Sequence, residues 1–368
     1  MRFLTAGESH GPALVGILEG LPAGLELSPA DLQKELSRRK LGLGRSSRQG
    51  LETDRVEVLA GLRRGRTLGS PLAVRIPNRD HGDGREAPLT VPRPGHADLA
   101  GARKYGFTDL RDVMERASAR ETAARTALGA AAKRLLEECG VCVASRVVAI
   151  GLADDLTRLS CPVSRLNALA DASPVRATDR AASLRMVRAV ERAGRAGDTL
   201  GGIFEVWAEG LPAGLGSYAH WDRRLDGRLA GALMALNGIK GVDIGLGFAA
   251  AVPPGSKVLD AYTWKDGAPA YRSNRSGGID GGMTTGEPLL LRAAMKPLPT
   301  LRKPLPSVDL KTGRAAPAPV LRSDVCAVPA AAVIAESLAA LVLADALLEK
   351  TGGDSMREIL PRLSALRK

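Results

Sequence analysis

Two short stretches place an imidazole where it could move protons. Gly7-Glu8-Ser9-His10-Gly11 sets a carboxylate, a hydroxyl and a histidine side by side, between glycines that let the backbone come close to a ligand. Its plain alternative is a polar turn. Arg93-Pro94-Gly95-His96-Ala97-Asp98 fixes the chain with proline and glycine just before a second histidine, with Asp98 near enough to orient it. Between Lys34 and Arg48 stand six cationic side chains and one acid, Glu35. Gly42 and Gly44 punctuate that run, so Arg39, Arg45 and Arg48 read as an anion clamp, since guanidinium forks match phosphate and carboxylate oxygens. In Arg116-Ala117-Ser118-Ala119-Arg120-Glu121-Thr122, free amides at a helix start would sit beside two arginines, another place for an anion.

These residues need elements to hold them. Ala13 to Leu18 is an apolar run of either helix or strand type. Ser28-Pro29-Ala30-Asp31 carries a cap hydroxyl, a first-turn proline and an acid, predicting a helix through Leu36 to Arg38-Arg39-Lys40. Strands at 55–59 and 72–76 lead to a polar loop, Asn78 to Arg85, in which His81 reads as a solvated residue. The clearest helix opens at Arg116 to Thr122, with Ser118 and Glu121 at capping-box spacing, and stops at Gly140. Later, Leu289 to Ala293 reads as a strand ahead of Lys296-Pro297-Leu298-Pro299-Thr300, and Arg322-Ser323-Asp324 precedes a long helix from about Pro329. Glycine-rich runs at 237–241, 245–247 and 276–286 match neither a dinucleotide fingerprint nor a P-loop.

One heptapeptide occurs twice: Glu19-Gly20-Leu21-Pro22-Ala23-Gly24-Leu25 returns as Glu209-Gly210-Leu211-Pro212-Ala213-Gly214-Leu215. Each copy follows an apolar run and precedes a helical pattern, the second from Trp221 to Leu236. This predicts a single α+β domain over 1–368 with two internally related halves, about 1–150 and 199–350, joined through roughly 151–198.

The totals narrow the function. With 368 residues, 45% of them hydrophobic, the chain can bury a large core. A formal charge of +12 favours anionic partners, but 3% aromatic residues leave few stacking platforms for single-stranded nucleic acid. The N-terminus lacks a signal-like apolar run, and Glu336 and Asp345 interrupt the most apolar later segment, so neither export nor a membrane span is expected. Cys139 and Cys142 form a Cys-Gly-Val-Cys pair that nothing completes into a zinc site, so no metal is expected and the four thiols read as reduced.

In this order the motifs resemble the chorismate synthase family over essentially the whole chain. The resemblance implies a β-α-β sandwich, with helices between antiparallel sheets, and a homotetramer; the reduced thiols point to the cytoplasm, and composition to small-molecule partners rather than nucleic acid or membrane. It also implies an anti-1,4-elimination, in which 5-enolpyruvylshikimate 3-phosphate loses phosphate and a C6 proton to give chorismate. Reduced FMN (FMNH2) is required, without net redox change. By the same resemblance His10 is the acid for the departing phosphate, His96 protonates or stabilises the reduced flavin, and Asp324 assists the flavin N5 as it takes the C6 proton. Ser9 and Ser118 are relay hydroxyls. Arg39, Arg45, Arg48 and Arg120 grip the substrate, and Arg39 and Arg45 are also associated with NADPH, should the enzyme reduce its own flavin. Arg116, Ala117, Ser118, Asn237, Gly238, Gly281, Lys296, Pro297, Leu298, Pro299, Thr300 and Arg322 lie along the flavin. Glu8 has no assigned chemistry and is expected to orient its loop. Two stretches depart from the family: Asp112-Val113-Met114-Glu115 stands where many members have glycines, and Ser323-Asp324-Val325 where His-Asp-Pro is frequent. The rival classes are a basic nucleic-acid-binding protein and a flavin reductase that oxidises NADPH.

Overall fold

The structure, a computed structural model, describes residues 1–46, 48–82, 86–155, 157 and 159–367, without the side chains of Arg48 and Gln49. The elements that shape the site are, in chain order, β1 (Arg2–Ala6), β2 (Ala13–Glu19), α1 (Pro29–Lys40), β3 (Glu57–Ala60), β4 (Leu72–Pro77), α2 (Asp98–Tyr105), α3 (Leu110–Ala117), α4 (Thr122–Glu138), β5 (Cys142–Ile150), β6 (Ala153–Asp154), α5 (Val163–Asp171), α6 (Arg180–Arg195), β7 (Gly202–Glu209), α7 (Leu225–Met234), β8 (Ile239–Ile244), β9 (Leu289–Met295) and α8 (Val328–Thr351).

The apolar run Ala13 to Leu18 is a strand: Leu14 and Leu18 are buried while Ile17 on the opposite face is exposed, the two-residue period of a sheet with one covered side. It lies in an antiparallel sheet ordered β1-β2-β4-β3. A second antiparallel sheet is ordered β8-β9-β7-β5-β6. Helices α1, α4, α7 and α8 fill the space between, with α4 packed on β2 and β4 and α8 on β5 and β7. The α+β sandwich with helices between antiparallel sheets is therefore what the chain forms. Where α4 meets α8 the backbones nearly touch: a Cβ added at Gly129 would stand 2.3 Å from that of Ser337. Helix α8 is long and apolar enough to cross a membrane, yet 83% of its most apolar window is buried in this fold, which removes the need for a polar face.

The two heptapeptides make the same hydrogen bonds. In the first copy Thr67 Oγ1 donates to Pro22 O (2.6 Å) and accepts from Leu25 N (2.9 Å); in the second, Thr284 Oγ1 donates to Pro212 O (2.7 Å) and accepts from Leu215 N (2.9 Å). The order β1-β2-β4-β3 is matched by β5-β7-β9-β8, with β6 added at one edge. The second sheet begins at Cys142, ahead of the boundary near 150 expected from sequence. Segment 151–198 is no bare connection, for α5 and α6 pack on the outer strands β5 and β6.

The helix expected to open at Arg116 to Thr122 is two helices. Helix α3 ends at Ala117, Ser118 is extended, a 3-10 turn covers Ala119–Glu121, and α4 starts at Thr122. Ser118 Oγ accepts from Arg120 N (3.2 Å), but the capping box does not close, because Glu121 Oε1 accepts instead from Thr5 Oγ1 and Arg125 Nε, both at 2.8 Å. The box at Ser28 and Asp31 does close, as expected. The strand expected at 55–59 forms at Glu57–Ala60.

Candidate functional site

A cavity of about 590 Å³ gathers residues that are far apart in the chain. Ser9 and His10 reach it from the β1–β2 loop, Arg39 from the end of α1, Arg45 from the loop beyond, and His96 from just before α2. Ala117, Ser118 and Arg120 come from the α3–α4 break, Asn237 and Gly238 from the turn into β8, and Lys296 to Thr300 from the end of β9. Arg322 and Asp324 come from the approach to α8. Of the remaining residues singled out from sequence, two are not brought in and a third is not described. The Arg48 side chain lies outside the described residues. Arg116 turns back to β1, where its Nη1 donates to Gly7 O (3.0 Å) and its Nη2 to Thr5 O (2.8 Å). Gly281 sits in a hairpin turn at 279–284 that does not line the cavity.

The lining is strongly cationic. Arg39, Arg45, Arg93, Arg111, Arg120, Arg322 and Lys296 face the carboxylate of Asp324 alone among the described lining residues. Burial pulls the Arg39 guanidinium down to about 10; Asp54 opposes this, while Arg45 and Arg120 add to it, so Arg39 remains a cation at neutral pH within a crowd of like charge. Buried acids behind the wall hold the forks in place. Arg39 is bound by Thr122 Oγ1 (2.9 Å) and Asp54 (3.4 Å), and Arg120 by Asp54 and by Glu52 (3.3 Å). Arg45 Nη1 pairs with Asp324 Oδ2 at 2.7 Å, but its buried Nε has no hydrogen-bond partner among the described residues. An orphaned charged donor beside an excess of cations is what a phosphate- or carboxylate-bearing ligand would satisfy.

The two histidines are each held by a carboxylate. His96 Nδ1 lies 2.5 Å from Asp98 Oδ1, as the sequence spacing anticipated, and Arg93 Nε donates to Asp98 Oδ2 (2.8 Å) while its Nη1 reaches Thr300 Oγ1 (3.0 Å). Burial opposes the Asp98 charge, yet hydrogen bonds from His96 and Arg93 outweigh it and hold the carboxyl well below the usual range. His10 Nδ1 lies 2.8 Å from Glu115 Oε1, a partner that sequence reading missed. So too were Asn78, Glu52 and Asp54, which local spacing had no means of connecting to the loop and the arginines they support.

The flavin-side expectations converge locally. Asn237 Nδ2 donates to Ala117 O (3.1 Å), Lys296 N to Gly238 O (2.9 Å), and Lys296 Nζ to Gly95 O, joining the turn before β8 to the His96 loop. Gly238 has φ +84°, a left-handed backbone that L side chains rarely adopt. This ring of amides and cations fits an anionic cofactor such as FMN.

The profile of the chorismate synthase family matches residues 1–348. A chorismate synthase of Leifsonia xyli is 52% identical, covering 97% of this chain and 93% of the relative. One from Moorella thermoacetica is 53% identical over 100% of this chain and 98% of its own. A crystal structure of a chorismate synthase superposes with a TM-score of 0.82 at 42% identity, covering 99% and 96% of the two chains. The nucleic-acid-binding alternative finds no support among these matches. The chain belongs to the chorismate synthase family.

Proposed function

We propose that the residues of this one cavity divide the work of the family's reaction, the loss of phosphate and a C6 proton from 5-enolpyruvylshikimate 3-phosphate to give chorismate. Arg39, Arg45 and Arg120, with Arg48, hold the substrate's carboxylates and phosphate, and the orphaned Nε of Arg45 is a donor ready for one of those oxygens. His10 delivers a proton to the departing phosphate, with Ser9 and Ser118 as relay hydroxyls. Ala117, Ser118, Asn237, Gly238, Lys296 to Thr300 and Arg322 hold reduced FMN, and His96 stands at the same wall to protonate or steady its ring. When bound, reduced FMN supplies the base for the C6 proton and emerges unconsumed, and Asp324 assists that transfer. Arg116 contributes indirectly, by holding the Gly7 carbonyl of the His10 loop. Gly281 receives no role here.

Arg39 and Arg45 would also meet NADPH if this protein reduces its own flavin. A cytoplasmic homotetramer without nucleic-acid or membrane partners accords with two features: Leu4, Ile17 and Leu59 are exposed on the first sheet, and all four cysteines are unpaired.

The observation that carries this assignment is the convergence of His10, His96 and Asp324 on one cavity with seven arginine and lysine side chains. The test is anaerobic mixing of protein, chemically reduced FMN and the enolpyruvyl substrate, following phosphate release and chorismate absorbance. His10→Ala should bind FMN normally and turn over about a hundredfold or more slowly. Wild-type turnover in that variant overturns the acid role.

A further inference from the structure

We propose that Glu115 is the positioning residue for His10, holding its imidazole by Nδ1 so that the proton for the leaving phosphate is delivered from Nε2. The inference rests on the acid role given to His10 above, but its geometry stands apart from that role. Glu115 lies in the last turn of α3, and three contacts reach it from one dipeptide. His10 N donates to Oε2 at 2.6 Å, His10 Nδ1 meets Oε1 at 2.8 Å, and Ser9 N donates to the Glu115 carbonyl at 2.9 Å.

An ionised carboxylate only accepts, so Nδ1 carries the hydrogen of this pair. That sets the tautomer and leaves acid chemistry to the other nitrogen. Because one carboxylate grips both the backbone nitrogen and the ring of the same residue, the ring is held relative to its own main chain as well as to α3. The negative charge also complements an imidazolium, the form able to donate. A side chain that merely fastened α3 to the loop would need the contact to His10 N alone; the second oxygen, aimed at the ring, is what a positioning role requires. His10 lines the cavity and its side chain is 39% accessible, so the held ring still meets a ligand.

The experiment compares Glu115→Gln, His10→Ala and the double variant, all with chemically reduced FMN, and records the imidazole nitrogen NMR shifts of His10 in the protein without substrate. Glu115→Gln keeps the shape and removes the charge. Its kcat should fall about tenfold to a hundredfold with KM within about twofold of wild type. The His10 shifts should move away from a ring protonated at Nδ1, and the substitution should add nothing to His10→Ala. Wild-type kcat and unchanged His10 shifts in Glu115→Gln, beside a collapse in His10→Ala, overturn this proposal alone. Wild-type turnover in His10→Ala overturns the acid role and this proposal with it.

Discussion

Asn78 accepts the Nε–H of Arg120 at 3.0 Å while its own amide nitrogen donates to the Gly11 carbonyl at 2.7 Å. The same nitrogen faces the carbonyls of Glu8 and Ser9 at 3.1 and 3.4 Å. One buried amide thus ties an arginine of the cavity wall to the loop that carries His10. Replacing it by alanine strands a charged donor and several carbonyls at once. Asn78→Ala should cost about 1–3 kcal/mol of stability, read as a shifted denaturant midpoint, and should lower kcat/KM beyond what the loss of folded protein explains. A variant matching wild type in both measurements would show that the loop is held by its other contacts.

The carboxyl of Asp98 is depressed in the folded state, and the sign of its effect on stability follows. A group whose folded value lies below its unfolded value stabilises the protein fully above the unfolded one and loses that contribution as pH falls toward the folded one. The unfolded value is about 3.9. The stability gap between wild type and Asp98→Asn should therefore be widest at neutral pH and narrow as pH drops below about 4. Parallel urea titrations across that range measure it; a gap independent of pH contradicts the charge-based account. Burial works against the Asp98 charge, and the hydrogen bonds of His96 and Arg93 are what outweigh it.

Much of the site was legible before the fold because its pieces are local. The glycine before His96, the arginines after α1 and the prolines after β9 mark rigid loops by residue type alone, and these loops line the cavity. What sequence does not carry is pairing at a distance. His10 and Glu115 are separated by 105 positions and Asn78 and Arg120 by 42, so only the fold, which packs α4 on the first sheet and ties the end of α3 to β1 through Arg116, makes them neighbours. Local signals also misled where two partners compete for one group. Ser118 and Glu121 have the spacing of a capping box, yet Thr5 and Arg125 take the glutamate, and the helix breaks at Ser118. Arg116 has the charge of an anion ligand, but the carbonyls of Thr5 and Gly7 lie within its reach. The duplicated heptapeptide announced paired halves; the matching threonines, Thr67 and Thr284, follow each copy at too great a distance to be picked out in advance.

Glu336, on the central helix α8, is fully buried and bonded to Arg38 (2.8 Å), Lys133 (2.6 Å) and Arg176 (3.2 Å). Burial alone would favour its neutral form, but these cations outweigh it and keep the carboxyl far below the usual range. Glu35 and Asp171 share the same cations, so removing one acid leaves three positive groups with two partners in the helix layer. Glu336→Gln should then destabilise by about 3–5 kcal/mol at neutral pH, the scale for breaking a buried ion pair from one side. Urea midpoints of the purified variant check this, and a loss below about 1 kcal/mol would mean that Glu35 and Asp171 suffice.

Asp324 has two jobs that a pair of substitutions can separate. Its Oδ2 holds Arg45 at 2.7 Å and its Oδ1 accepts from Ser46 N at 2.6 Å, so it closes the cationic loop against the entry to α8. It also faces the cavity, where it is proposed to assist removal of the C6 proton. If the counter-ion job were the whole of its role, Asp324→Asn would behave like a change at Arg45 and act on binding. Arg45→Lys keeps the charge but loses the planar fork, so KM should rise roughly tenfold with little change in kcat. Asp324→Asn keeps an acceptor for Ser46 and loses the negative charge, so kcat should fall about a hundredfold or more while KM moves far less. Anaerobic steady-state kinetics with reduced FMN distinguish the two patterns. A raised KM at unchanged kcat in Asp324→Asn would reduce this residue to the partner of Arg45 and leave the proton step to another group.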